Sequence, residues 1–90
     1  MRVRFYGFLR DYVGGREFEV SLKSLGRDGV RVKELPHLLA SAVPGFSKVL
    51  ELLESGEVDL IFLVNDRPAR EDEVVRDGDV VDVLPPASGG

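Results

Sequence analysis

The chain has 90 residues, 43% of them hydrophobic and 31% charged, with a formal charge of −4. That length supports one domain around one core, and the apolar share is that of a globular protein, not a disordered one. The acidic balance argues against a nucleic-acid partner, which calls for a broad basic surface.

No apolar run approaches the ~18 residues of a membrane span, so no membrane partner is expected. The opening MRVRFYGFLR carries arginines inside its apolar stretch, unlike a signal peptide, which implies a cytoplasmic protein. There is no cysteine. Disulfides and thiolate metal sites are therefore excluded, and no side chain can carry sulfur as a thiol or persulfide.

Residues 2–6 alternate, with Val3 and Phe5 on one face and Arg2, Arg4 and Tyr6 on the other, which predicts a half-buried strand. Residues 16–22 repeat the pattern through Phe18, Val20 and Leu22. Gly14-Gly15 lies between the two segments, so they read as a hairpin with a long structured turn that Leu9, Tyr12 and Val13 anchor to the core. Ser24–Gly29 is a loop by composition. Val32, Leu35, Leu38, Leu39, Ala42 and Val43 then recur at helical spacing, predicting a helix over 33–43 with Pro36 in its first turn and Pro44-Gly45 as its stop. A shorter helix follows, with Phe46, Val49, Leu50 and Leu53 on one face.

Val58–Val64 is nearly continuous apolar sequence rich in β-branched residues and predicts a central strand. Asn65-Asp66 is a turn dipeptide that tolerates left-handed backbone, and Arg67–Ala69 is at most a short strand. Asp77-Gly78-Asp79 marks another turn before a last strand over 80–84. Pro85-Pro86 ends sheet pairing. The expected architecture is α+β: one mixed sheet with helices packed on one face and the first strand parallel to the last. A domain spans 1–86, and 87–90 form a C-terminal tail expected to be poorly ordered.

Enzyme constellations are missing from the pattern. His37 is the single histidine and falls off the core stripe of its helix, the place of a solvated residue. It has no Gly-x-Ser-x-Gly partner motif, and Gly14-Gly15-Arg16 lacks phosphate-loop spacing. Histidine and cysteine spacings for a transition metal are absent, and Glu71-Asp72-Glu73 with Asp77 and Asp79 lacks the ligand order of a calcium loop. This acidic run reads as a solvated surface. No catalytic residue, bound cofactor or metal ligand is assigned.

The tail is the exception. A buried-type strand, two stiffening prolines and then Ala87, Ser88, Gly89 and Gly90 make a rod leaving a rigid domain. Four extended residues reach roughly 13 Å, enough to enter a partner's active-site channel, and glycine admits close approach of other backbones.

The segment Phe-Tyr-Gly-Phe-Leu-Arg-Asp-Tyr-Val-Gly, the Val-Asn turn, the Asp-Gly-Asp turn and the ending Pro-Pro-Ala-Ser-Gly-Gly resemble the MoaD/ThiS family of ubiquitin-like β-grasp proteins, and within it the MoaD branch. The resemblance covers the whole chain and is most specific over 77–90. Ala87 stands where that branch often has valine, Asp66 where it often has glycine, and the 23–31 loop is somewhat long. The resemblance implies a non-catalytic sulfur carrier, the small subunit of molybdopterin synthase. An activating enzyme of MoeB type would use ATP to adenylate Gly90, and sulfur would then replace AMP to give a thiocarboxylate. The tail, 87–90, would insert into a large MoaE-type subunit and donate sulfur toward the molybdenum or tungsten cofactor. An archaeal-type modifier conjugated to lysines through Gly90, and a ThiS-type carrier for thiazole synthesis, share the same ending chemistry and stand as alternatives.

A docking face can be read from the alternation alone. If Val3, Phe5, Leu60, Phe62, Val64, Val81 and Val83 face the helices, then Tyr6, Ile61, Leu63 and Leu84 face outward with Arg2 and Arg4. Apolar residues clustered on the solvent side of a sheet mark an interaction surface.

Overall fold

The computed structural model describes residues 1–86; the tail assigned above, Ala87, Ser88, Gly89 and Gly90, lies outside the described residues. In chain order the elements are β1 (Arg2–Phe5), α1 (Leu9–Val13), β2 (Glu17–Glu19), β3 (Val30–Arg31), α2 (Leu35–Ala42) and α3 (Phe46–Glu54). They are followed by β4 (Ile61–Val64), β5 (Arg67–Pro68), β6 (Val74–Val75) and β7 (Val80–Leu84). The main sheet runs β2-β1-β7-β4-β5, and β3 pairs with β6 in a separate two-stranded ribbon.

β1 lies antiparallel to β2 and parallel to β7, with Val3 opposite both Phe18 and Val81. β7 is antiparallel to β4, so the last strand has a neighbour on each edge. The expected mixed sheet and its parallel first and last strands are both present. Val58–Val64 is strand only from Ile61 onward. The register explains the shortening: Ile61 faces Leu84, and the next residue of β7's chain is Pro85, which has no N–H to continue the ladder. The strand expected over 16–22 is likewise reduced to Glu17–Glu19, although Val20 still donates its amide to the Met1 carbonyl at 2.8 Å.

The inner sheet face carries Val3, Phe5, Val64, Val81 and Val83, all buried, against Leu35, Leu39, Phe46 and Val49 from the helices. Phe5 meets Phe46 at a ring separation of 5.9 Å and Phe18 edge-on at 5.8 Å. Burying such a side chain contributes about 1.5–3 kcal/mol, so this aromatic trio is a large share of what holds helix to sheet.

The helix expected over 33–43 is a 3-10 turn, Val32–Glu34, running into α2. Val43 leaves the helix in extended geometry, φ −116° and ψ 115°, as a residue preceding proline does because the ring of Pro44 disfavours the α region. Gly45 then turns the chain into α3 with φ 88°, and a Cβ there would overlap the Tyr12 carbonyl. The absence of a side chain at Gly45 is what lets α3 approach α1.

The connection between β1 and β2 contains that five-residue helix, α1, which the alternation did not foresee. Leu9 and Val13 anchor it to the core as expected, but Tyr12 does not. It is exposed and stacks edge-on against Phe8 at 6.0 Å. The Asn65-Asp66 turn has the left-handed geometry expected of it, φ 51° and 67°, as two-residue hairpin loops require.

The acidic stretch lies at the surface as expected, with Glu71, Asp72 and Asp77 exposed, but three of its carboxylates are tied into hydrogen bonds. Glu73 binds Arg67 through two hydrogen bonds of 2.7 and 3.0 Å. Asp77 accepts the Leu22 and Lys23 amides at 2.9 and 3.1 Å and the Met1 ammonium at 3.1 Å. Asp79 accepts the Arg76 amide and the Asn65 side chain, and Asn65 in turn accepts the Val80 amide. These bonds to the charged form hold the Asp77 and Asp79 carboxyls below the usual carboxylate range. Among the described residues no group of three or more such side chains is arranged to hold a metal ion.

Two outcomes follow. Gly45→Ala adds a backbone clash to a left-handed residue and should destabilise the fold by about 2–3 kcal/mol in urea unfolding. Gly14→Ala has the same left-handed geometry with nothing within 4 Å of the added methyl, and should cost only about 1 kcal/mol. Because the folded carboxyls of Asp77 and Asp79 are depressed, their stabilisation is present above about pH 4 and is lost as pH falls through the folded values. The urea midpoint should therefore drop on acidification, and the drop should be smaller in Asp77→Asn.

Candidate functional site: the outer sheet face and the exit of the last strand

β7 delivers the chain to Pro85 from the middle of the sheet. Tyr6, just past β1, donates its amide to the Val83 carbonyl at 3.2 Å, extending the parallel ladder to the end of the strand. Pro85 is half-buried and sits against Gly7, where an added Cβ would lie 3.0 Å from its ring carbon. Gly7 has φ 61°, so a side chain there is disfavoured by the backbone as well as by Pro85. Two contacts thus fix the direction in which the chain leaves the domain.

The register brings the four outward residues together. Ile61 pairs with Leu84, Tyr6 borders the same end of β7, and Leu63 lies across from Pro68 on β5. Ile61 is 43% exposed, and Tyr6, Leu63 and Leu84 are half-buried. Together they form an apolar band beside the exit of β7.

Sequence alternation missed what lies next to this band. Asp82, on the outward face of β7, is only 4% exposed. Arg4 covers it from the neighbouring strand, with Nε and Nη2 donating to its two carboxylate oxygens at 2.5 and 3.0 Å. The parallel register, which sets Arg4 directly beside Asp82, produces this fork. The Tyr6 hydroxyl lies 3.4 Å from Asp82, and Arg4 also reaches Asp66 in the hairpin turn at 3.2 Å. The hydrogen bond that Arg4 donates to Asp82 holds its guanidinium above the ordinary value. An outward aspartate within a valine-rich strand was the available signal, since a carboxylate between two sheet neighbours needs a cation.

Arg10 donates to the Phe5 carbonyl at 2.8 Å and lies over the Tyr6 ring, 5.3 Å from its centroid, which fixes the ring on the band. His37 is on the exposed side of α2, 3.5 Å from Glu54, with no further acid-base partner among the described residues. The chemistry this face offers is recognition.

A model of the ThiS family matches residues 3–90. No curated protein matches the chain. Among solved structures, a Pyrococcus furiosus protein named as a candidate molybdopterin converting factor, subunit 1, is 28% identical with a TM-score of 0.67, over 96% of this chain and 95% of that one. The Haloferax volcanii HVO 2177 protein is also 28% identical, TM-score 0.65, over 99% of this chain and 84% of that one. SAMP1 from Haloferax volcanii has a TM-score of 0.65 at 20% identity, over 99% and 97% of the two chains. At that identity it shares the fold alone, the ubiquitin-like β-grasp.

The Arg4–Asp82 pair gives an ordered prediction. Arg4→Leu strands a carboxylate that the sheet shields from water, whereas Arg4→Leu with Asp82→Leu removes both charges and leaves apolar surface. Thermal melts should rank the wild type and the double variant close together and Arg4→Leu clearly below both.

Proposed function

The chain belongs to the ThiS family, and from that premise we propose that it is a sulfur carrier of MoaD type, working as a thiocarboxylate on Gly90. The observation that carries the proposal is the family match itself, which runs to Gly90 and so includes the Gly89-Gly90 pair. The strand leading there is held on both edges and aimed by Gly7 against Pro85. The chain's lack of cysteine agrees with sulfur carried on the main-chain carboxyl.

The chemistry follows from the poor reactivity of a carboxylate, which is ionised at neutral pH with a terminal pKa near 3.3–3.7. A Gly90 carboxylate oxygen attacks the α-phosphorus of ATP on an activating enzyme, and pyrophosphate leaves. Sulfide, as HS⁻, then attacks the acyl adenylate at carbon, AMP departs, and loss of the remaining S–H proton leaves the thiocarboxylate. Residues 87–90 reach into the acceptor enzyme, which supplies the catalytic groups; the carrier is its co-substrate. The 28% identity to the Pyrococcus furiosus protein supports molybdopterin synthesis as the destination, with a large synthase subunit as partner. The apolar band of Tyr6, Ile61, Leu63 and Leu84 is the docking face in this reading.

Removal of Gly90 should abolish adenylation, read as pyrophosphate release with the activating enzyme, while the melting temperature stays nearly unchanged. A truncated chain that is still activated contradicts the proposal. Leu84→Asp should separate binding from folding. An unpaired charge placed in the contact costs several kcal/mol in the complex, whereas at a half-exposed strand position it costs the isolated domain about 1 kcal/mol. Calorimetric titration against the partner and a melt of the free chain measure the two effects. Unchanged affinity puts the docking face elsewhere.

A further inference from the structure

We propose that the groove between the 23–31 loop and helix α2 is a binding site for a small organic anion with an apolar body. The groove encloses about 750 Å³ and is lined by Leu25, Arg27, Lys33, Glu34, His37, Leu38 and Ser41. That volume falls within the range of small-ligand sites. It lies on the helical side of the domain, away from the outer sheet face, and neither the adenylation chemistry nor the docking band uses it.

Its floor is apolar. Leu38 is buried, while Leu25 is 48% exposed, the most exposed of the large hydrophobic residues described. A 3-10 turn over Lys23–Leu25, closed by Gly26 in left-handed geometry, holds Leu25 on the wall facing α2. The opposite wall is the stripe Lys33, His37 and Ser41, which repeats every four residues from the 3-10 turn Val32–Glu34 into α2.

Its rim is basic on a chain of net charge −4. Arg27 comes from the loop, and Lys33 from the 3-10 turn that precedes α2. Lys33 makes no ion pair among the described residues. The one acid in the lining, Glu34, is already engaged, accepting the Arg31 amide at 3.4 Å and lying 3.5 Å from Arg27. His37 is 3.5 Å from Glu54, outside the lining. Lys33 on one wall, without an ion pair among the described residues, and Arg27 on the other, shared with Glu34, therefore leave the rim with a net positive charge over an apolar floor. This arrangement attracts an anion and then buries its hydrocarbon. A neutral ligand gains nothing from the rim, and an inorganic anion gains nothing from Leu25 and Leu38.

The probe is anilinonaphthalene sulfonate, an aromatic anion, followed by amide NMR spectra of the full chain, with uncharged N-phenylnaphthylamine as the comparison. Saturable shifts should centre on Leu25, Arg27, Lys33, His37, Leu38 and Ser41. The uncharged probe should bind about fivefold more weakly or worse. Lys33→Glu and Leu25→Ser, both at exposed positions, should each weaken the anion about fivefold or more while leaving the rest of the spectrum in place. Shifts centred on Tyr6, Ile61 and Leu84, equal affinity for the two probes, or indifference to Lys33→Glu would each overturn the assignment. None of these outcomes bears on activation at Gly90, so this site and the carrier reading succeed or fail separately.

Discussion

The hydrogen-bond ladders on the two edges of β7 are the constraint from which the rest of the functional end follows. A parallel ladder to β1 and an antiparallel one to β4 leave that strand no freedom to shift register. A slip of one residue would carry Val81 and Val83 out of the core and put Asp82 into it. Fixing the register fixes where the strand ends, which residue meets Pro85, and which side chains border the exit.

The same register explains why a charge pair sits on a face that otherwise offers apolar contact. Asp82 falls beside Arg4 because the two strands are parallel and in step. The fork between them satisfies a carboxylate that the sheet has largely taken out of water. A buried pair of this kind is weak support for stability but distinguishes one partner surface from another. Tyr6 joins the two regions. Its hydroxyl reaches toward Asp82, its ring is covered by Arg10, and its backbone extends the ladder to Val83.

Much of this fold was legible as periodicity. Val3 and Phe5, the α2 stripe and the left-handed Asn65-Asp66 turn all behave as their spacing and chemistry indicate. What escaped was decided by contacts between distant segments. Val58 and Leu60 extend the apolar run of β4 backwards across Asp59, but Pro85 gives this segment nothing to pair with. Tyr12 falls at a core-like position in the sequence, yet in the short helix α1 it is turned outward while Leu9 and Val13 are buried. Asp77 and Asp79 are surface acids as they look, but the backbone amides they accept come from segments brought together only when the turn is assembled. The outward band was legible from alternation, whereas the Arg4–Asp82 fork needed the parallel register. The role proposed for Gly90 rests on its context, the valine strand, the two prolines and the family match, and lies outside the described residues.

The central claim is that Gly90 carries sulfur. It is tested most directly by high-resolution mass analysis of the C-terminal peptide from protein isolated from its own cell. The account predicts a fraction of the peptide in which sulfur replaces one oxygen of the Gly90 carboxylate, a fraction that hydroxylamine or alkylating reagents convert as a thiocarboxylate. Recovery of Gly90 solely in isopeptide linkage to lysines of other proteins, with no sulfur-bearing form, would contradict it.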